Sequence, residues 1–236
     1  MTAILACTLD NASLFAYYTS TMELTFVALI VALIISVIIH EMAHGYAALW
    51  QGDPTAKLQG RLSPNPAVHL DPLMSIIIPG LLIYSNAGFI FGAAKPVPYN
   101  PYNFRNQKWG EAIVAFAGPL SNIILALLFI GLIYAAPIIG LNQQFVQLSY
   151  QIVILNFFLA FFNLIPLAPL DGSKIIQPFI GMVSIEMMWK YQNFRNFLEQ
   201  NVWLAFSLVI FIVFFGLGSI LHSLTINIVQ TLLQLL

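Results

Sequence analysis

Long apolar runs leave this chain few folds to choose from. Four of them approach the roughly 20 residues that a membrane-spanning helix needs: Leu24 to Trp50, Trp109 to Ile139, Tyr150 to Leu170 and Val202 to Leu221. Composition points the same way. Hydrophobic residues make up 60% of the chain and charged residues 7%, against about 25% charged in soluble domains. Eight basic and nine acidic side chains cannot cover the surface of a soluble domain of 236 residues. The sequence therefore predicts an all-α integral membrane bundle of about four to six transmembrane helices. It reads as a single domain over residues 1–236, with a core at 24–180 and C-terminal helices at 200–236.

Several classes are excluded early. A net charge of -1 and the lack of a basic stripe exclude a nucleic-acid partner. Cys7 is the only cysteine, so an intrachain disulfide and a cysteine-based zinc site are both ruled out. No Lys or Arg precedes Lys57, so the first twenty residues lack the charged start of a signal peptide.

Two shorter runs complete the map. Leu73 to Ala87 carries Pro79-Gly80 at its centre, and Ile220 to Leu236 is dotted with His222, Asn227, Gln230 and Gln234. The first could span or re-enter. Cytoplasmic loops are enriched in Lys and Arg. If the run re-enters, Lys57, Arg61, Lys95, Arg105 and Lys108 share one face. Lys174, Lys190 and Arg195 then join them after two more crossings. If it spans, Lys57 and Arg61 are cut off from the rest, so the re-entrant path is preferred. That path puts the end of the first helix on the cytoplasmic side. The last run is expected to be an interfacial helix. Between the short run and the next helix, "GFIFGAAKPVPYNPYNFRNQ" alternates apolar residues with glycines and prolines. This suits a strand-like hairpin, shielded by the bundle or offered as an edge to another chain.

The first long run ends in His40-Glu41-Met42-Ala43-His44. On a helix, positions i and i+4 share a face, so both imidazoles can address one ion. Glu41 lies about 100° around the helix, where it can take a proton from a water activated by that ion. A helix can also carry polar residues merely for packing. Within a membrane that explanation weakens, because ionisable groups there cost several kcal/mol unless paired or coordinated. His40 lies ten residues before Trp50, roughly 15 Å along the helix. The metal would sit inside the bilayer, nearer the cytoplasmic face.

Zinc takes a third protein ligand, and His69, Asp71, Asp171 and His222 are the candidates. Asp171 closes "NLIPLAPLDGSK", where prolines and a glycine break the helix and free backbone for a cavity. His69, in "NPAVHLDP", is read as bonding backbone in its loop, with a gating role near the metal as the sharper option. His222 reads as interfacial.

The order of these motifs resembles the site-2 protease family of intramembrane zinc metalloproteases. His40-Glu41-x-x-His44 is followed by Asn163-x-x-Pro166-x-x-Pro169-Leu170-Asp171-Gly172, and "AGPLSN", with Gly118-Pro119-x-x-Asn122, lies between them. "GRLSPNPAVHLDP" and "FGAAKPVPYNP" resemble the compact bacterial branch. The resemblance covers roughly residues 24 to 180. It implies one catalytic zinc held by His40, His44 and Asp171, with Glu41 activating water. It implies an unwound substrate backbone held near Asn163, whose other reading is to cap carbonyls freed near Pro166. Phe89 to Val97, with Phe91 between, would be the strand that guides substrate. Asn122 belongs to the substrate-binding set in one reading and bridges helices in the other. The connection from Pro137 to Ser149 is too short for a PDZ-like domain, and no nucleotide-sensing domain follows the last helix.

The implied function is hydrolysis of peptide bonds within or near transmembrane helices, as in regulated intramembrane proteolysis. Transmembrane proteins would be the substrates and the lipid bilayer the surroundings, in a bacterial inner membrane. Rival readings are an ion transporter and an inactive relative that binds membrane proteins. A transporter would spread its polar residues along the spans, whereas here they gather at one depth. A di-iron oxidase would need more than the four histidines present.

Overall fold

The computed structural model describes residues 11–72, 77, 81, 84 and 94–235. Among these, the regular elements are all helical. Helix α1 (Asn11–Trp50) holds the first apolar run, α2 (Gly110–Ala135) the second and α3 (Gln143–Asn163) the third. Two shorter helices follow, α4 (Gly172–Val183) and α5 (Ile185–Gln200). Helix α6 (Val202–Ile212) runs through a π-helical stretch, Val213–Leu217, into α7 (Gly218–Leu235). Four stretches are long and apolar enough to cross a membrane: Leu24–Trp50, Gly110–Ala135, Gln143–Asn163 and Val202–Gln234.

Two boundaries differ from those expected. The third span begins at Gln143 and stops at Asn163, not at Leu170. Hydropathy excluded Gln143, Gln144 and Gln147, which a helix accepts readily. The side chain of Asn142 caps the start by accepting the Phe145 N–H at 3.0 Å. Pro166 and Pro169 prevent continuation at the other end. The last run does not form a separate interfacial helix, because helical structure continues from Val202 to Leu235. Thr225 and Val229 are buried there, and Tyr134 donates to the Leu233 carbonyl at 2.6 Å. His222, Asn227, Gln230 and Gln234 lie on its exposed side. Apart from Ile77, Leu81 and Tyr84, the proposed re-entrant run lies outside the described residues, as do Phe89 and Phe91. Val97 lies in an extended segment, 94–100, that pairs with no strand among the described residues.

Along α1 the buried side is polar and small, and the exposed side is large and apolar. Val27, Ile30, Val31, Ile34 and Ile35 of α1 are exposed, while Ser36, His40, His44 and Ala48 are buried. That arrangement suits lipid, which gives apolar side chains no reason to turn inward. Helix α2 is the hub and packs on α1, α3 and α4. Its inner face is Ala112, Val114, Ala115, Gly118, Asn122 and Ala126, small enough for backbones to come close. Farther along, Ala126 and Ile130 of α2 meet Val153 and Phe157 of α3 and Val229 of α7. Ile165 and Leu170, in the broken stretch after α3, pack against Val209 and Leu221.

At the end of α1 the chain turns on Gly52, whose φ of 104° suits glycine. The next residue, Asp53, is fully buried and ties the two sides of a loop together. It accepts hydrogen bonds from Thr55 Oγ1 at 2.6 Å, Asn103 Nδ2 at 2.7 Å and the Asn100 N–H at 2.7 Å. The Arg105 N–H adds a bond to the Gln51 carbonyl at 2.6 Å. Residues just after α1 are thereby fastened to residues just before α2. Burial would raise the Asp53 pKa, but the bonds from Thr55, Asn103 and Asn100 outweigh it and hold the carboxyl below its ordinary value. A lowered native pKa means the clamp contributes fully above the unfolded value near 4 and fades as pH falls through the native one. Thermal unfolding in detergent should therefore show an acid-side loss of stability that Asp53→Asn abolishes, with the variant less stable than wild type at pH 7.

Candidate active site

His40 and His44 sit one turn apart on the buried side of α1, their rings 4.7 Å apart and perpendicular. Each ring is held by its Nδ1. His44 Nδ1 lies 2.8 Å from the backbone carbonyl of Val114, and His40 Nδ1 lies 2.6 Å from Asn122 Oδ1. Both partners are carbonyl oxygens, which only accept, so the ring protons sit on Nδ1. Each Nε2 is left with a lone pair aimed into the bundle.

Asp171 comes from the opposite side, at the N-cap of α4. An aspartate there ordinarily accepts from the first amides of its helix, yet this side chain makes no capping bond. Its carboxylate turns to the histidines, with Oδ2 at 3.2 Å from His40 Nε2 and 3.4 Å from His44 Nε2. No hydrogen-bond donor reaches that buried oxygen. Two nitrogen lone pairs and a carboxylate oxygen thus face one another within 4.8 Å. Such a set of acceptors repels itself unless a cation stands among them. Two imidazoles and one carboxylate are a ligand set that zinc accepts, with a further position left for water or substrate. The residues fit a catalytic metal.

Two glycines permit the approach. A Cβ on Gly118 of α2 would lie 2.5 Å from His44 Nε2 and 2.6 Å from His40 Nε2. A Cβ on Gly172, beside Asp171, would lie 2.2 Å from the Leu164 carbonyl oxygen and 2.4 Å from that of Ile165. Without Gly118, α2 could not lie against the imidazoles. Without Gly172, α4 could not start against the frayed end of α3.

Around these groups is a cavity of about 300 Å³. Its polar lining includes Glu41, Asn163, Lys174 and Tyr99, and its apolar lining includes Phe162 and Val209. Glu41 Oε2 accepts the Val97 N–H at 3.0 Å, so the 94–100 segment holds the carboxylate in place. That bond is where the backbone of Val97 goes instead of to a strand partner. The Lys95 N–H bonds the His69 carbonyl at 2.8 Å, and Arg61 Nη2 reaches the Lys95 carbonyl at 2.6 Å.

The other sequence candidates are placed as follows. Asn163 closes α3 at the cavity wall, and its Nδ2 donates to the Leu159 carbonyl at 3.0 Å. Asn122 is fully buried between helices, with both ends engaged, by His40 and by Asn156. His69 Nε2 bonds the Ser63 carbonyl at 2.8 Å, in its own loop. His222 is exposed. Among the described residues, neither His69 nor Asp71 nor His222 joins the metal-type cluster. Sequence reasoning missed Asn156, the Val114 carbonyl and Lys174. A buried Asn in an apolar run was the available signal for the first, and the other two had none.

Comparison with known proteins fits this geometry. The model of peptidase family M50 matches residues 135–210, which include Asp171. The "Putative zinc metalloprotease YwhC" of Bacillus subtilis is 39% identical over 176 residues, covering 70% of this chain and 74% of that protein. The chain belongs to peptidase family M50. Rip2 of Mycolicibacterium smegmatis, which carries the same description, is 28% identical over 66% of this chain and 58% of its own length. MJ0611 of Methanocaldococcus jannaschii, again so described, is 28% identical over 47% of this chain and 63% of its own length. No solved structure matches. As a site-2-type M50 metalloprotease, the chain has zinc as the cation that its acceptor cluster accommodates.

Gly118→Ala should drive a methyl into both imidazoles. The expected result is a stability loss of about 1–3 kcal/mol, with a clear drop in bound zinc by elemental analysis at limiting metal.

Proposed function

We propose that this M50 peptidase is an intramembrane endopeptidase, a single catalytic domain that cuts transmembrane segments of other membrane proteins. The observation that carries this reading is the meeting within 4.8 Å of Asp171 with His40 and His44, the two histidines lying on an apolar helix of membrane-spanning length. In it, His40, His44 and Asp171 hold the zinc. Zinc so held supplies Lewis acidity, polarising a carbonyl and making water a stronger nucleophile at neutral pH.

The chain's own residues do the rest. Glu41 removes a proton from the attacking water as its oxygen adds to the scissile carbonyl carbon. It returns that proton to the amide nitrogen as the C–N bond breaks, leaving an amine and a carboxylic acid, which gives its remaining proton to the amine or to solvent. The Val97 N–H on Glu41 Oε2 orients the carboxylate for both transfers. A substrate helix hides its peptide groups in its own hydrogen bonds, so it must unwind before attack. Helix-breaking residues in the substrate lower that cost, since an interior proline already weakens a helix by about 3 kcal/mol. The mostly apolar cavity receives the unwound side chains, while Asn163, at its wall, is placed to bond the freed backbone.

The same reading places the site nearer the cytoplasmic face of a bacterial cell membrane, with substrates of the kind used in regulated intramembrane proteolysis. Supporting that orientation, Gln51 and Asp53 after α1 bond Arg105, Asn100 and Asn103 before α2. Arg195 of α5 pairs with Glu111 at the start of α2, at 3.3 Å. Lys174 Nζ lies 5.0 Å from the centre of the Tyr99 ring. These ties gather the cationic loops at one end of the bundle, as cytoplasmic loops would be.

Cleavage of single-span substrates by purified protein tests the proposal. Glu41→Gln should keep its zinc and lose about 10²–10⁴-fold in rate. Asp171→Asn should lose zinc as well as activity. Full cleavage by Glu41→Gln would remove Glu41 as the base. Cleavage indifferent to a zinc chelator would remove the metal mechanism.

A further inference from the structure

We infer that Asn156 of α3, one hydrogen bond beyond Asn122, is a positioning residue that decides whether His40 Nε2 offers the metal a lone pair or an N–H. The inference rests on the metalloprotease reading above. An asparagine amide has the same outline whichever end is oxygen, so shape alone does not orient Asn122. Turned around, Asn122 would present its NH₂ to His40 Nδ1. The ring proton would then move to Nε2, and His40 would point an N–H at the metal position instead of a lone pair.

Asn156 prevents the reversal. Its Oδ1 accepts Asn122 Nδ2 at 3.0 Å. A reversed Asn122 would put oxygen against oxygen there. Asn156 could escape only by reversing as well, and the backbone blocks that. Asn156 Nδ2 donates to the Ile152 carbonyl at 3.0 Å, and a backbone carbonyl only accepts. The direction of every bond in the series is therefore set from its far end. The Ile152 carbonyl fixes Asn156, Asn156 fixes Asn122, and Asn122 fixes the proton on His40 Nδ1 at 2.6 Å. Both asparagines are 0% exposed, so no solvent competes for these groups. Neither side chain has a buried polar atom without a partner. Reversal would leave buried polar groups unpaired, the costly case for hydrogen bonds in an apolar interior.

His44 is a useful contrast. Its Nδ1 meets the Val114 carbonyl directly, so its orientation needs no intermediary. The two metal-facing imidazoles thus take their polarity from two different helices, His44 from the backbone of α2 and His40 from the backbone of α3 through two amides.

The test compares wild type, Asn156→Leu and Asn156→Asp, each purified in detergent. Leucine keeps the volume and removes the polarity. A buried aspartic acid is held protonated by desolvation, so its hydroxyl can donate to Ile152 and its carbonyl can accept from Asn122. Zinc affinity is read with zinc ions against a chromophoric chelator. Protonation of His40 and His44 is read from ¹⁵N spectra of histidine-labelled, zinc-loaded protein, which has only four histidines to assign. Wild type and Asn156→Asp should show a proton on His40 Nδ1 and similar affinity. Asn156→Leu should bind zinc about 10–100-fold more weakly, with the His44 Nδ1 signal unchanged. Equal zinc affinity in wild type and Asn156→Leu would overturn the inference, as would an Asn156→Asp that falls as far as the leucine variant. Should Asn156→Leu not fold, the wild-type spectrum still decides, because a His40 Nδ1 without a proton sinks the inference. A wild type that binds no zinc at all would instead sink the metalloprotease reading beneath it.

Discussion

Two imidazole lone pairs and a carboxylate oxygen, brought together away from water, are the constraint around which this molecule is organised. In an apolar bundle such a cluster is costly unless a cation resolves it. The cost is also what makes the site specific. With the ring protons spent on carbonyl oxygens at Nδ1, sharing a proton with Asp171 would require one imidazole to carry a second proton, and it would satisfy one contact alone. Asp171, meanwhile, withholds its carboxylate from the start of its own helix. A divalent ion satisfies all three groups at once.

The bundle bends its ordinary packing rules to hold that cluster. Helix α2 gives up side-chain volume at Gly118 so that α1 can bring both imidazoles inward. Helix α3 stops at Asn163, and the proline-rich turn after it carries the chain to Asp171. Gly172 then lets α4 begin directly against the backbone carbonyls of Leu164 and Ile165. The extended segment 94–100 is threaded beside α1, and its backbone polarity goes to Glu41, Arg61, His69 and Asp53. Backbone without strand pairing is tolerable within the bundle because those neighbours satisfy it.

Much of this was legible in the order of residues. An i, i+4 histidine pair on an apolar helix suits a shared metal ion, but the residues alone left His69, Asp71, Asp171 and His222 open as the third ligand, and only the family resemblance pointed to Asp171. Hydropathy located the spans, but it missed the start of α3 because it penalises Gln143, Gln144 and Gln147, and overran its end because Leu164 to Leu170 are mostly apolar despite the helix-stopping Pro166 and Pro169. It also divided the last span near Leu221, where Thr225 and Val229 in fact face the core. Asn122 was visible as a buried polar residue with two possible roles. Its partner Asn156 was not singled out, since one asparagine in an apolar run shows neither its neighbour nor the direction of its hydrogen bonds.

The sequence by itself determined the solvent, the helical class and the chemistry. Composition points to lipid, lipid restricts the backbone to helices or closed barrels, of which the long apolar runs select helices, and the residue types suit a metal. Tertiary structure decided what distance along the chain cannot encode. It brought the Asp171 carboxylate to His40 and His44, a group that His69, Asp71 and His222 do not join among the described residues. It anchored Glu41 to the backbone of Val97. It also set the protons of His40 and His44, because hydrogen-bond direction belongs to groups facing one another across helices and not to any one of them alone.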